Sequence, residues 1–102
     1  MTAAPVMAQS APKVGTVTAV KGSKAVTLTI PVSGAASGST ITITAISGGG
    51  AGANTWTLPV TASISGGTAS ALVLRNNNAS GTYTASYVIN PGGYTGTFVF
   101  TV

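Results

Sequence analysis

Residues 26–32 read Val26-Thr27-Leu28-Thr29-Ile30-Pro31-Val32, an aliphatic side chain at every second position with Thr or Pro between. Side chains two residues apart lie on the same face of an extended strand, so this run predicts a strand with Val26, Leu28, Ile30 and Val32 in a core. The period of two continues outward from it. Ile41, Ile43 and Ala45 alternate with Thr40, Thr42 and Thr44, and Trp56, Leu58 and Val60 alternate with Thr55, Thr57 and Pro59. Leu72 and Leu74 follow in the same manner, then Tyr83, Ala85, Tyr87 and Ile89, then Phe98, Phe100 and Val102. A first strand is placed over residues 14–20. No segment carries the 3.6-residue period of an amphipathic helix.

Turn formers punctuate these runs at short intervals: Lys21-Gly22-Ser23, residues 33–39 and 47–54, Ser65-Gly66-Gly67, Asn76-Asn77-Asn78 and Asn90-Pro91-Gly92-Gly93. About seven short antiparallel strands so separated predict an all-β sandwich. Pro31 and Pro59 lack an amide hydrogen for a ladder, which puts them at an edge or near a strand end. Residues 47–53 (SGGGAGA) are expected to form a mobile loop. Trp56, Tyr87, Phe98 and Phe100 are in phase with the aliphatic faces and are expected in the core, whereas Tyr94, beside Gly92 and Gly93, is expected to be exposed. The recurrent Thr-x-Thr pairs have no fixed spacing and are read as strand propensity, not as an ice-binding array.

Composition restricts the chemistry. The 102 residues include no Asp, Glu, His or Cys, and only Lys13, Lys21, Lys24 and Arg75 are charged. General acid–base catalysis draws on groups that titrate near working pH, and none is present. Lys21 and Lys24 flank Gly22 and Ser23, but a Lys on an exposed turn stays protonated and is no base for a Ser–Lys dyad. The chain is therefore expected not to be an enzyme, with no metal, cofactor or small-molecule substrate. A pI of about 10 points to an acidic partner. Four scattered charges without interleaved aromatics are a poor nucleic-acid footprint, and they are expected to act as solubility charges on the rim. No apolar run is long enough to span a membrane as a helix, and residues 1–12 lack the basic and apolar regions of a signal peptide.

The run Ser80-Gly81-Thr82-Tyr83-Thr84-Ala85, after an Asn-rich turn, resembles the start of strand F in immunoglobulin-like domains. There a Tyr hydroxyl bonds back to the backbone just upstream, the tyrosine corner, and the resemblance gives Tyr83 that structural role. Ala85 stands where the second disulfide Cys of an antibody domain would fall, and the single Trp, Trp56, lies in the fourth strand. The resemblance is thus to disulfide-free immunoglobulin-like modules of bacterial and phage surface proteins, over most of residues 14–102. Asn78-Ala79-Ser80 is formally a glycosylation acceptor, and it is read as turn chemistry.

Uncharged Thr, Ser and Ala cover the outward strand faces, where soluble monomers usually keep charges against unwanted pairing. That choice suits a chain held permanently against others. Residues 1–13 form an extended arm of small residues and prolines that cannot bury enough surface to order itself, so a neighbouring subunit is expected to hold it. The expected function is that of a structural protein on a virion surface, similar to phage capsid decoration proteins, with the major capsid protein or copies of itself as partner. Pro5, Val6, Met7 and Pro12 of the arm, with Lys13, Lys21 and Lys24 at one end of the sandwich, are the expected docking residues. The alternatives are a subunit of an extracellular bacterial filament or surface layer and a carbohydrate-binding or adhesion module. Because no carboxylate or imidazole side chain titrates, the fold is expected to ignore acid: circular dichroism at about pH 3 should match that at neutrality, and a collapse there would contradict it.

Overall fold

The computed structural model of the chain describes residues 11–49 and 55–102, which are all-β. The eight strands are β1 (Lys13–Val14), β2 (Thr18–Gly22), β3 (Ala25–Ser33), β4 (Thr40–Gly48), β5 (Val60–Ser65), β6 (Thr68–Leu74), β7 (Thr82–Asn90) and β8 (Tyr94–Thr101). Every pairing is antiparallel. β3 lies between β6 on one side and, on the other, β2 followed by β1. β4, β7 and β8 form the second half of the structure. β5 joins the halves by changing partner, pairing from Val60 to Ser63 with β4 and then at Ile64 and Ser65 with β6. Since β2 and β8 approach each other without pairing, the sheet is nearly closed.

The core fills the space between the halves. Val26, Leu28 and Ile30 of β3 meet Ile41 and Ile43 of β4, Val73 of β6, Tyr83, Ala85 and Ile89 of β7, and Phe98 and Phe100 of β8, all buried. Each large aliphatic or aromatic side chain so removed from water contributes about 1.5–3 kcal/mol before entropy is charged against it. Tyr83 stacks on Phe100 at 5.5 Å, and Tyr87 on Phe98 at 6.1 Å. The alternation of β3 and the aromatic positions of β7 and β8 therefore face inward as the sequence predicts.

Several expectations need correction. The strand predicted over 14–20 is split at Gly15, Thr16 and Val17, giving β1 and β2 and a total of eight; the break sits beside Pro31, which has no amide hydrogen to pair across it. The strand predicted to include Trp56 begins only at Val60, immediately after Pro59, for the same reason. In β4 the register slips between Ile43 and Ala45, a β-bulge that turns Ala45 to solvent and Ile46 toward the core. β4 also runs on through Ser47 and Gly48, into the segment expected to be a loop, and residues 50–54 lie outside the described residues. Tyr94 is half-buried, because Gly92 at φ 112° leaves the ring the space a Cβ would take.

The largest error concerns β6. Leu72 and Leu74 are 58% and 50% exposed, and Ala71, Val73 and Arg75 are buried instead. The two-residue Gly66-Gly67 turn fixes this phase by placing Ser65 opposite Thr68 and Ile64 opposite Ala69. Threonine substitutions in the two rows test it. Leu72→Thr should change stability by less than about 0.5 kcal/mol, and Val73→Thr should cost about 1–3 kcal/mol by burying a hydroxyl, both read from urea unfolding.

Candidate functional site

Arg75 closes β6 and is only 4% exposed, although the sequence places it on the solvated rim. A buried guanidinium requires compensation, and with no acid available this one uses oxygens and rings. Its Nη1 donates to the Ala79 carbonyl at 2.7 Å and to the Tyr83 hydroxyl at 3.4 Å. Its Cζ lies 5.1 Å from the centroid of Trp56 and 6.0 Å from that of Tyr83, within cation–π range. Nε and Nη2 have no hydrogen-bond partner among the described residues. Trp56 is held over the guanidinium by an isolated bridge between Trp56 and Arg75, by the Thr57 amide donating to Leu74 O at 2.8 Å, and by edge contact with the Tyr83 ring at 5.2 Å.

Tyr83 is fully buried and donates its hydroxyl to Ala79 O at 3.0 Å, four residues upstream. Gly49, at φ 77°, packs so closely on that ring that a Cβ would overlap it. The three asparagines between β6 and β7 each accept a different backbone N–H: Asn76 from Thr55, Asn77 from Ala79, and Asn78 from Lys24. These bonds fit the turn chemistry expected of Asn76-Asn77-Asn78.

The predicted docking residues are not brought together. Pro5, Val6 and Met7 lie outside the described residues. Lys13 opens β1 opposite Ser33, whereas Lys21 pairs with Val26 and Lys24 precedes Ala25. Those positions are the two ends of β3, about 26 Å apart at the rise of an extended strand. The expected basic end with three lysines therefore reduces to Lys21 and Lys24, because β1 reaches β3 at the end remote from the β2–β3 turn. Lys21 Nζ donates to Ser80 Oγ at 3.2 Å on the exposed surface.

Pro12 is half-buried beside a cavity of about 50 Å³ lined also by Ala35, Ser39, Ile89, Pro91 and Tyr94. That volume is far below the several hundred Å³ of small-molecule sites. A wider open depression next to it is lined by Lys13, Gly15, Pro31, Val32, Ser33 and Gly67, and its polar groups are one lysine, the Ser33 hydroxyl and backbone. Among the described residues no cluster of metal-ligating side chains occurs. Comparison with protein-family models, with curated proteins and with solved structures finds no match.

The outer face of β4, β5, β7 and β8 is dominated by hydroxyls, some paired across strands: Thr42 with Thr61 at 2.9 Å and Thr82 with Thr101 at 3.2 Å. The outer face of β2, β3 and β6 instead exposes Val20, Leu72 and Leu74. Sequence reading missed these residues by assigning Leu72 and Leu74 to the core. The Arg at position 75, in phase with Ala71 and Val73, gave no cue to burial. Tyr83→Phe removes the hydroxyl bond to Ala79 and should lower stability by about 1 kcal/mol without changing the fold, measured by urea unfolding and circular dichroism.

Proposed function

We propose that this chain is a non-enzymatic structural protein, an immunoglobulin-like β-sandwich that works by surface contact. Most concretely it is a decoration protein on the surface of a virion, bound to the major capsid protein. The observation that carries this reading is the uncharged outer surface of its strands, with Val20, Leu72, Leu74 and Val99 each at least half exposed. A soluble monomer ordinarily places charges there. The immunoglobulin-like part of the reading is supported by the strand order. β1 and β2, β3, β6 and β5 correspond to the ABED sheet, and β4, β7 and β8 to CFG, which puts Tyr83 and its upstream bond to Ala79 on strand F.

The arm remains part of the proposal through Pro5, Val6 and Met7, now without a three-lysine cluster beside it. The carbohydrate reading loses its one expected exposed aromatic, Tyr94. A second reading is favoured by the outer edge of β8, which β2 approaches without pairing and which runs from Tyr94 to Thr101 without a charge or a proline. Such an edge suits strand addition between the subunits of an extracellular filament.

Light scattering separates the two readings. The purified chain should remain a small species of constant mass and should co-sediment with capsids of the virus encoded by the same genome. Deleting residues 2–10, short of the packed Pro12, should abolish co-sedimentation and leave the circular dichroism spectrum unchanged. Spontaneous polymerisation of the chain alone would overturn the decoration reading in favour of the filament.

A further inference from the structure

Three of the four charged side chains converge at one end of the molecule. Lys21 and Lys24 flank the β2–β3 turn, and the Arg75 amide donates to the Lys24 carbonyl at 3.0 Å. No acidic side chain exists anywhere in the chain to offset them. Lys24 also holds a left-handed backbone, φ 51°, a conformation in which Gly or Asn is far more at ease than a long side chain.

The exposed aliphatics are at the same end. The strand register sets Val20, Thr27 and Leu72 abreast on β2, β3 and β6, and sets Gly22, Ala25 and Leu74 abreast one row nearer the turn. Opposed residues of neighbouring strands lie roughly 5 Å apart, so Leu72 and Leu74 of β6 group with Ala25 of β3, and Val20 stands across Thr27 from Leu72, an apolar area interrupted by one Thr. Val20 is 67% exposed, Leu72 58% and Leu74 50%. The next row on the same face, away from the turn, is Thr18, Thr29 and Ser70. The apolar area is thus confined to the half of the face that adjoins the positive pole.

We propose that this half-face is a docking surface for an acidic protein, one that presents an apolar centre bordered by Asp or Glu side chains. The sign of the charge selects this occupant. A second copy of the chain docked face to face would set two positive poles against each other with no side-chain anion between them. An acidic partner supplies a counterion to Lys24 at the turn beside Ala25 and Leu74, where charge sets orientation and association rate, while the aliphatics supply the desolvated centre; Lys21, opposite the buried Val26, projects from the other face of the sheet toward Ser80. An anionic bilayer has the same sign, but the area offers it three aliphatics on a sheet face and no interfacial aromatic. The inference names the partner chemistry of the contact role proposed above, and peptide binding tests it without any capsid, so the two can fail separately.

The test is selection of a random-peptide display library on the immobilised full chain, with counter-selection against the Val20→Thr/Leu72→Thr/Leu74→Thr variant. Enriched peptides should combine Asp or Glu with Leu, Val or Phe. By fluorescence anisotropy they should bind the triple variant about tenfold more weakly, and a Lys24→Gln variant about threefold more weakly. If the triple variant does not fold, amide chemical shifts of the unmodified chain titrated with an enriched peptide serve instead and should move around Val20, Leu72 and Leu74. No enrichment, peptides without an acidic excess, or shifts confined to another face would overturn the proposal. So would a dimer seen by sedimentation velocity that the triple variant abolishes, or binding to phosphatidylglycerol vesicles that is lost in the same variant.

Discussion

With no carboxylate side chain in the chain, a cation has four places to go: water, a hydroxyl, a carbonyl oxygen or the face of an aromatic ring. The lysines stay at the surface, Lys21 on the Ser80 hydroxyl, and Arg75 takes a carbonyl, a hydroxyl and the rings. Its planar guanidinium can lie against Trp56 while one nitrogen reaches Ala79 O, a combination that the compact ammonium of lysine does not offer. Much of one end of the molecule is arranged around it. The Arg75 backbone holds the Lys24 carbonyl of the β2–β3 turn, and its side chain shares Ala79 O with the Tyr83 hydroxyl at the start of β7. Two buried donors without a partner among the described residues are a cost of about 1–3 kcal/mol each, and cation–π contact of about 2 kcal/mol offsets part of it.

Neither an acidic side chain nor a cysteine is available, so ordinary side-chain ion pairs and disulfides contribute nothing to closure. Burial and backbone ladders have to do it. The change of partner by β5 is the device that lets a single ladder continue from β4 to β6 and so wrap both halves around one set of aliphatics. Aromatic packing then connects the halves where ladders do not: Trp56, carried on the segment before β5, meets Tyr83 and Phe100 edge-on. Stability built in this way has no side-chain term that titrates in acid.

The class of fold was legible because β3 has only one apolar phase: Val26, Leu28, Ile30 and Val32 oppose Thr and Pro. β6 has two. Ala69, Ala71 and Val73 form one apolar row and Leu72 and Leu74 the other, and bulk alone favours the wrong one. The phase is decided by the Gly66-Gly67 turn and the register it sets with β5, information that alternation along a single strand does not contain. The same limit applies to Ala45 and Ile46, where one bulged residue reverses every later side chain of β4. The apolar area of the candidate surface was illegible for this reason, since a reading that counts leucines as core cannot also find them outside. The lysines failed differently. Their grouping depended on where a two-residue strand, β1, meets β3, and no local pattern in the sequence specifies that.

On the docking reading proposed above, the charge of Lys24 beside Ala25 and Leu74 serves two ends at once. Positive charges placed next to exposed aliphatics act as gatekeepers, since they make association of identical copies through that area unfavourable at little cost in stability. They also discriminate among partners, because the same repulsion becomes attraction when the opposing surface is acidic. The backbone of Lys24 bears on which purpose dominates. A left-handed conformation at a residue other than glycine costs about 1 kcal/mol or more, and a Gly or Asn at that turn position would avoid most of it. Solubility alone does not call for a lysine there, as a charge on the neighbouring Ser23 position would serve as well. A lysine kept at a strained turn, one residue before Ala25 and its neighbour Leu74, fits a charge whose position matters, and position matters for recognition more than for solubility.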